Sequence, residues 1–407
     1  MKHLVLIGAL GVTGIVQATA ATSLKLIETS VHSRVGFDSN PAGTSGTSAA
    51  VLGDDDTLIY AAGAGFALGA GGAGEKDARL KLTYAGEAVR FEEWSGENHS
   101  THRFGAGGKF FAGEWTVTGE GSALYVAGSR GTLATEPTVN ANAMTLWRER
   151  RRQWQQRVNL QAETVRGERV ARVGAKVLAM DYHTDVAPGR VAFADRADAQ
   201  VSADAGWRRN PRSLWLAGVR AGMQVQDTVN AGDAEYSNDY LRLALGWEGT
   251  LFGNTTVSVA GGPDFRRYSG DVAAGFERDR TSFWVEACAT AKLEETLTLT
   301  GKVARTPWLS STGKTAYMDT CAELSLKKGL GRKVTVQIAA KVHQCDYYPV
   351  VRDDWESILG AGVSWKLSGR TTVLLDVARH EAWNEIEAAP ERKFDRVTVN
   401  LGASVKF

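Results

Sequence analysis

The chain holds 407 residues, and its Lys and Arg nearly match its Asp and Glu, for a formal net charge of +1; nothing in that balance points to nucleic acid or to a strongly acidic partner. Gly is frequent at 45 residues and Pro scarce at 8, and no Pro-rich or Ser-rich linker marks a boundary. One repeating architecture is therefore expected, rather than the two or three globular domains that length alone would suggest.

Met1-Lys2-His3 opens the chain with charge, an apolar run follows from Leu4 to Val16, and Ala18-Thr19-Ala20 supplies small residues at a cleavage position. Residues 1–20 are expected to be a secretory signal peptide and 21–407 the mature protein. An apolar run of about 13 residues falls short of the roughly 20 that a spanning helix needs, and no later run reaches that length.

From Ser23 onward the dominant period is two. Five strands are expected first, near 23 to 38, 57 to 69, 78 to 91, 100 to 112 and 114 to 127. Trp115, Val117, Gly119, Gly121, Ala123 and Tyr125 line one face of the fifth, with Thr116, Thr118, Glu120 and Ser122 on the other. The loop from Ser39 to Asp55 leads into Asp54-Asp55-Asp56, which is either a solvated acidic run or a bridge through divalent cations to lipid phosphates; its spacing is not that of an EF-hand. Gly69 to Lys76 is glycine-rich but lacks the Gly-Lys-Ser/Thr ending of a phosphate loop, so it reads as a turn. His99 and His102, beside Glu97, lack a third metal ligand.

The longest loop, Ser129 to Arg150, closes on Arg148-Glu149-Arg150-Arg151-Arg152 between Trp147 and Trp154. This cluster can fold inward as an anion-favouring constriction, meet lipopolysaccharide phosphates at the rim through bidentate guanidinium contacts, or remain a solvated patch. Ala141 to Arg157 contains neither Gly nor Pro and suits a short helix.

Strands are expected next near 152 to 166, 169 to 183, 196 to 207, 213 to 226, 236 to 248, 254 to 268 and 280 to 292. In the second of these, Val173-Ala175-Val177 and Leu178-Met180-Tyr182 argue for opposite faces, which leaves open a bulge or a smaller strand count. The last six are expected near 295 to 306, 316 to 327, 332 to 346, 353 to 367, 370 to 384 and 394 to 407. Cys288, Cys321 and Cys345 lie far apart without a C-x-x-C spacing, and read as isolated thiols. No G-x-S-x-G or H-E-x-x-H is present, and no enzyme activity and no cofactor are expected. A hydrolase would need a Ser and an acid beside His183, His343 or His380.

These elements number about 18, with 16 left open. The strands exceed the five or six residues typical of a sandwich and suit the tilted span of about 9 to 11 residues in a bilayer core. Tight turns such as Val165-Arg166-Gly167-Glu168 alternate with long polar loops. With that phase imposed, Trp115, Trp207, Trp215, Trp247, Trp365 and Phe407 fall at one end of the strands, and Tyr60, Tyr125, Trp154, Phe265, Phe283 and Trp355 at the other. Two aromatic girdles result. The fold expected is all-β: a transmembrane antiparallel up-and-down β-barrel, in which an even strand count puts both termini on the periplasmic side.

The segment Val397-Thr398-Val399-Asn400-Leu401-Gly402-Ala403-Ser404-Val405-Lys406-Phe407 resembles the closing strand of Gram-negative outer-membrane barrels, which alternates apolar residues and ends in an aromatic read by the barrel assembly machinery. The likeness extends as a pattern over nearly the whole mature chain, whose size and strand count resemble porin-like families. The resemblance implies an outer-membrane location with lipid and lipopolysaccharide around the wall, contact of Phe407 with the assembly machinery, and passive diffusion of small hydrophilic solutes or ions. A structural or adhesive barrel with a filled lumen is the alternative, and a homo-oligomer is open.

Inward faces of such a barrel line water. They are expected to carry Glu120, Arg157, Arg220, Arg242, Arg266, Glu286, Lys302, Glu323, Lys341 and Asp376. Together with Arg148, Arg150, Arg151 and Arg152, these are the candidate pore and constriction residues, because charges of both signs on a channel wall orient dipolar solutes and bias which ions pass.

Overall fold

The computed structural model describes residues 24–41, 56–71, 79–129, 151–182, 194–228, 234–310, 316–348, 352–386 and 392–407. Residues 1–20, expected to be a signal peptide, lie outside these ranges. Eighteen strands are described. The first nine are β1 (Lys25–Asp38), β2 (Thr57–Gly71), β3 (Arg79–Phe91), β4 (His99–Ala112), β5 (Trp115–Ser129), β6 (Arg151–Arg166), β7 (Arg169–Tyr182), β8 (Arg196–Asn210) and β9 (Ser213–Gln226). The second nine are β10 (Asn238–Leu251), β11 (Thr255–Tyr268), β12 (Asp279–Glu294), β13 (Leu297–Leu309), β14 (Ala316–Leu330), β15 (Val334–Tyr348), β16 (Arg352–Lys366), β17 (Thr371–Ile386) and β18 (Arg392–Lys406).

Each strand pairs antiparallel with its neighbours in sequence, and β1 pairs with β18 from Ser30↔Lys406 to Asp38↔Thr398. The sheet closes into the expected up-and-down barrel with 18 strands. Closure leaves no unpaired edge, which is what allows a sheet to sit in hydrocarbon, where each unsatisfied backbone group costs several kcal/mol. Short turns join the strands at one end. Gly113 and Gly167 start two of them at φ +59 and +61, the left-handed backbone that two-residue hairpins require and glycine adopts at no steric cost.

Two local expectations need correction. β7 pairs with β6 and β8 without any register shift, so no bulge occurs there. Leu178 and Met180 stay on the lumen side, and the Met180 Sδ accepts a hydrogen bond from Arg196 Nε at 3.3 Å, which gives an apolar residue a polar task inside the barrel. The expected helix over Ala141 to Arg157 is also not formed in its described part. Arg151 to Arg157 begin β6, because Gln153, Gln155 and Arg157 alternate with Trp154 and Gln156 and the strand pairs on both sides.

The outward faces carry the apolar residues of every strand. Val31, Val35, Val201, Leu245, Leu359 and Leu401 are each more than 40% exposed on the bare barrel, an area that is stabilised only when lipid covers it. Trp207, Trp215 and Trp247 stand in register across β8, β9 and β10 at the short-turn end. Toward the long-loop end Phe104, Tyr125 and Trp154, joined by Tyr84 from the middle of β3, form an aromatic sheet with centroid spacings of 4.9 to 6.3 Å, and Trp355 stacks on Trp383 at 6.0 Å. These two belts, one at the short turns and one toward the long loops, place the strands across a bilayer.

Candidate functional site

Alternation turns every second side chain of each strand into the lumen. The register then brings particular polar groups together. On β11, Asp264 and Arg266 are two residues apart and share the inward face. Across the ladder Asp264 opposes Arg242 of β10, Arg266 opposes Tyr240, Asn238 opposes Gln224 of β9, and Gln224 opposes Asp198 of β8.

The resulting network is continuous. Arg242 Nε donates to Asp264 Oδ2 at 2.5 Å, and Arg266 Nε donates to Asp264 Oδ1 at 2.8 Å. Arg266 Nη1 also donates to Gln224 Oε1 at 2.7 Å and to Asn238 Oδ1 at 2.9 Å. Tyr240 lies between the two guanidinium groups, each 4.7 Å from its ring centroid, and its hydroxyl donates to Asp198 at 2.9 Å. Gly222 makes room for this ring, since a Cβ there would lie 2.5 Å from the Tyr240 hydroxyl. Gly222→Ala is expected to push Tyr240 off the wall toward the open half of the lumen and to lower single-channel conductance, as measured in planar bilayers.

The wall is also crossed from the far side. The end of β13 turns inward, so that Gln224 Nε2 donates to the Pro307 carbonyl at 3.3 Å and Gln226 Nε2 to the Ser310 carbonyl at 2.5 Å. Arg196 donates to the Leu309 carbonyl and stands 5.6 Å from the Trp308 ring. Above this, Tyr236, Tyr268, Phe276, Leu309 and Ala316 form a buried apolar cluster at the long-loop end. The half of the lumen enclosed by β8 to β13 is thereby filled near that end.

The other half stays open. A cavity of about 800 Å³ has Lys81, Glu120, Arg157 and Lys176 on one wall and Asp198, Arg242, Glu286 and Trp308 on the other. Glu286 also lines a second cavity, of about 480 Å³, toward the short turns. A third, of about 380 Å³, shares Glu248, Ser258 and Cys288 with the second and reaches Pro211 and Arg212 at the short-turn end. Lys81, Glu120 and Lys176 lie along one row of the sheet, through Lys81↔Gly107↔Glu120↔Asn159↔Lys176. Among the described residues, none of Lys81, Glu120, Arg157, Lys176 and Glu286 has a hydrogen-bond or ion-pair partner, so their charges face the cavity.

The sequence candidates are distributed along this path. Glu120, Arg157, Arg242 and Glu286 line the first cavity; Arg220, Glu286, Lys302 and Glu323 line the second. Arg220 is 3.8 Å from Asp204 and 4.8 Å from the Trp284 ring, and its buried Nη1 has no hydrogen-bond partner. Lys302 pairs with Glu323 at 3.9 Å, and Lys341 opposes Glu323 in register. Asp376 sits between Gly362 and Asn400 on the β17 inner face, while Arg266 is held in the network above. Arg148 and Arg150 lie outside the described residues. Arg151 starts β6, and Arg152 is exposed on the face that carries Trp154, opposite to Arg157. Asp54 and Asp55 and His183 also lie outside. His99 Nδ1 donates to the Glu97 carbonyl and His102 pairs with the Tyr84 hydroxyl, so the two histidines do not converge. Neither His343 nor His380 hydrogen-bonds a serine hydroxyl among the described residues.

Several functional groups escaped sequence reasoning. Arg172 of β7 reaches Glu163 of β6 at 2.8 Å and Glu248 of β10, three strands away, at 2.8 Å. Arg34 of β1 joins Glu87 of β3 and Asn400 of β18, each at 2.9 Å. Trp284 and Trp308 point inward, out of phase with the girdles; their even numbering within strands whose outward faces fall on odd positions was the available signal.

No protein-family model matches the chain, and no curated protein matches its sequence. Among solved structures it is similar to Pseudomonas aeruginosa OpdK in a complex with vanillate, at 12% identity and a TM-score of 0.45, over 93% of this chain and 98% of that one. It is similar to the outer-membrane channel DcaP of Acinetobacter baumannii at 11% identity and a TM-score of 0.44, over 95% and 97%. It is also similar to the siderophore receptor PiuA of Acinetobacter baumannii at 9% identity and a TM-score of 0.44, over 94% and 82%. None of them supplies a solute for this chain.

Proposed function

We propose that this chain, a porin-like β-barrel of the outer membrane, is a narrow channel for the passive diffusion of small hydrophilic solutes or ions. The observation that carries the reading is the series of three cavities joined through Glu286 and then through Glu248, Ser258 and Cys288. A barrel of 18 strands is wide enough to hold water along its axis, and here the filled half narrows that space to one side. Walls lined by opposite charges hold a solute by exchanging its hydration for weak multiple contacts, strong enough to admit it and weak enough to release it.

Lys81, Arg157 and Lys176 against Glu120 and Glu286 leave the open wall with a small excess of positive charge, which favours solutes with an anionic end. Partners are then the surrounding lipid and lipopolysaccharide, for which Arg152 at the rim supplies a guanidinium group, and the solute itself. The refolded protein in planar bilayers is expected to give discrete conductance steps smaller than those of a barrel whose lumen is open on all sides. Absence of steps from a folded preparation would instead favour a filled structural barrel, with the Pro307 to Ser310 segment and the apolar cluster as its closure.

A further inference from the structure

On β14 and β15, away from the path just described, the register makes a second constellation. Asp319 opposes Cys345, Cys321 opposes His343, and His343 opposes Glu356 of β16, all on the inward face. One carboxylate oxygen of Asp319, one ring nitrogen of His343 and the Cys345 sulfur all lie within 4.8 Å of one another. His343 Nε2 is bonded to Asp319 Oδ1 and stands 3.9 Å from Cys345 Sγ, while its Nδ1 faces Glu356 Oε2 at 4.0 Å. We infer that Asp319, His343 and Cys345 form a binding site for a thiophilic divalent cation of the zinc class.

The donor set argues for that class. A thiolate, an imidazole and a single carboxylate suit Zn²⁺ and its softer relatives, whereas Mg²⁺ and Ca²⁺ demand shells of oxygen. The nitrogen-to-sulfur spacing of 3.9 Å is near the roughly 3.6 Å that tetrahedral Zn–S and Zn–N bonds set between the two ligand atoms, and the Asp319 carboxylate, hydrogen-bonded to the same ring nitrogen, would swing off it to reach the ion. One ring nitrogen faces the other two donors and the second faces Glu356, the arrangement in which an outer carboxylate fixes the tautomer and raises the basicity of a metal-ligating histidine. The sulfur is walled by Tyr317 and Tyr347, while the Asp319 side chain is 34% exposed to the lumen. Three protein ligands with one open side leave a fourth position for water or a solute group. Sequence spacing hid the site, since His343 and Cys345 are two apart in a strand and the third donor comes from across the ladder.

The test uses the refolded, full barrel in detergent, with folding verified by strand circular dichroism and heat-modifiable gel mobility. Titration with Co²⁺ is expected to give a thiolate-to-cobalt charge-transfer absorption that saturates at one ion per chain, is displaced by Zn²⁺ and is unaffected by Mg²⁺. Cys345→Ser and His343→Gln abolish it, Glu356→Gln weakens Co²⁺ binding by about 10 to 100-fold, and Cys288→Ser and Cys321→Ser retain it. The inference is overturned if the wild type shows no such band, if the band survives Cys345→Ser, or if it disappears in Cys288→Ser or Cys321→Ser. Should Cys345→Ser not fold, His343→Gln and Asp319→Asn decide, and an unchanged band in both overturns the site.

Discussion

Asp264→Ala is expected to lower the unfolding free energy of the barrel by about 3 to 5 kcal/mol, the cost of removing one partner from a buried ion pair. Asp264 is fully buried and is the carboxylate shared by Arg242 and Arg266, whose side chains are 6% and 2% exposed. Without it, two guanidinium groups on either side of Tyr240 have no counter-charge, and Gln224 and Asn238 offer Arg266 only neutral acceptors. Asp264→Asn keeps the volume and one acceptor and is expected to cost less than the alanine change. Equilibrium urea unfolding in lipid vesicles measures both. A loss below about 1 kcal/mol in the alanine variant would mean that the pair is solvated as an exposed salt bridge is, and that the network does not rigidify this wall.

Replacing Lys81, Arg157 and Lys176 together with Gln is expected to lower anion permeability about tenfold, and the ratio of anion to cation permeability by more, since the same charges repel cations. At a distance of about 8 Å in water each charge contributes about 0.5 kcal/mol to an ion in the cavity, and three sum to about 1.5 kcal/mol. These side chains face the cavity of about 800 Å³ and hold no carboxylate among the described residues, so their removal takes away field without breaking a buried pair. The reversal potential under a salt gradient reads the ratio, at low ionic strength because 1 M salt screens charges within about 3 Å. Glu120→Gln moves the potential in the opposite direction. An unchanged potential in the triple variant, with conductance intact, would place the ion path elsewhere in the lumen.

Much of the barrel was legible because membrane strands carry their instructions locally. Trp207, Trp215 and Trp247 were assignable to one girdle from phase alone, and the inward positions of Arg157, Arg242, Glu286 and Lys302 followed from the same period. The candidate path was legible only in part. Phase places Arg266 and Arg157 alike on the inner wall, yet Arg266 is locked in a buried network and Arg157 faces open space. That distinction depends on which residues lie across the lumen. Leu178 and Met180 show the converse, since two apolar residues in inward phase suggested a slipped register when their strand is regular.

The alternating strands, the lipid-facing belts and most of the inward residues were contained in the linear pattern, because a side chain's face in a strand depends on its position parity and not on its partners; the choice between 16 and 18 strands and the face of Arg152 were not. Which inward residues meet was contained only in the closed barrel. Arg172 reaches Glu248 three strands away, the Pro307 to Ser310 segment turns in against β8 and β9, and Asp319 meets His343 and Cys345. Each contact depends on curvature, register and the path of a strand end across the lumen, which are set by the sum of all the pairings and by no short stretch of sequence.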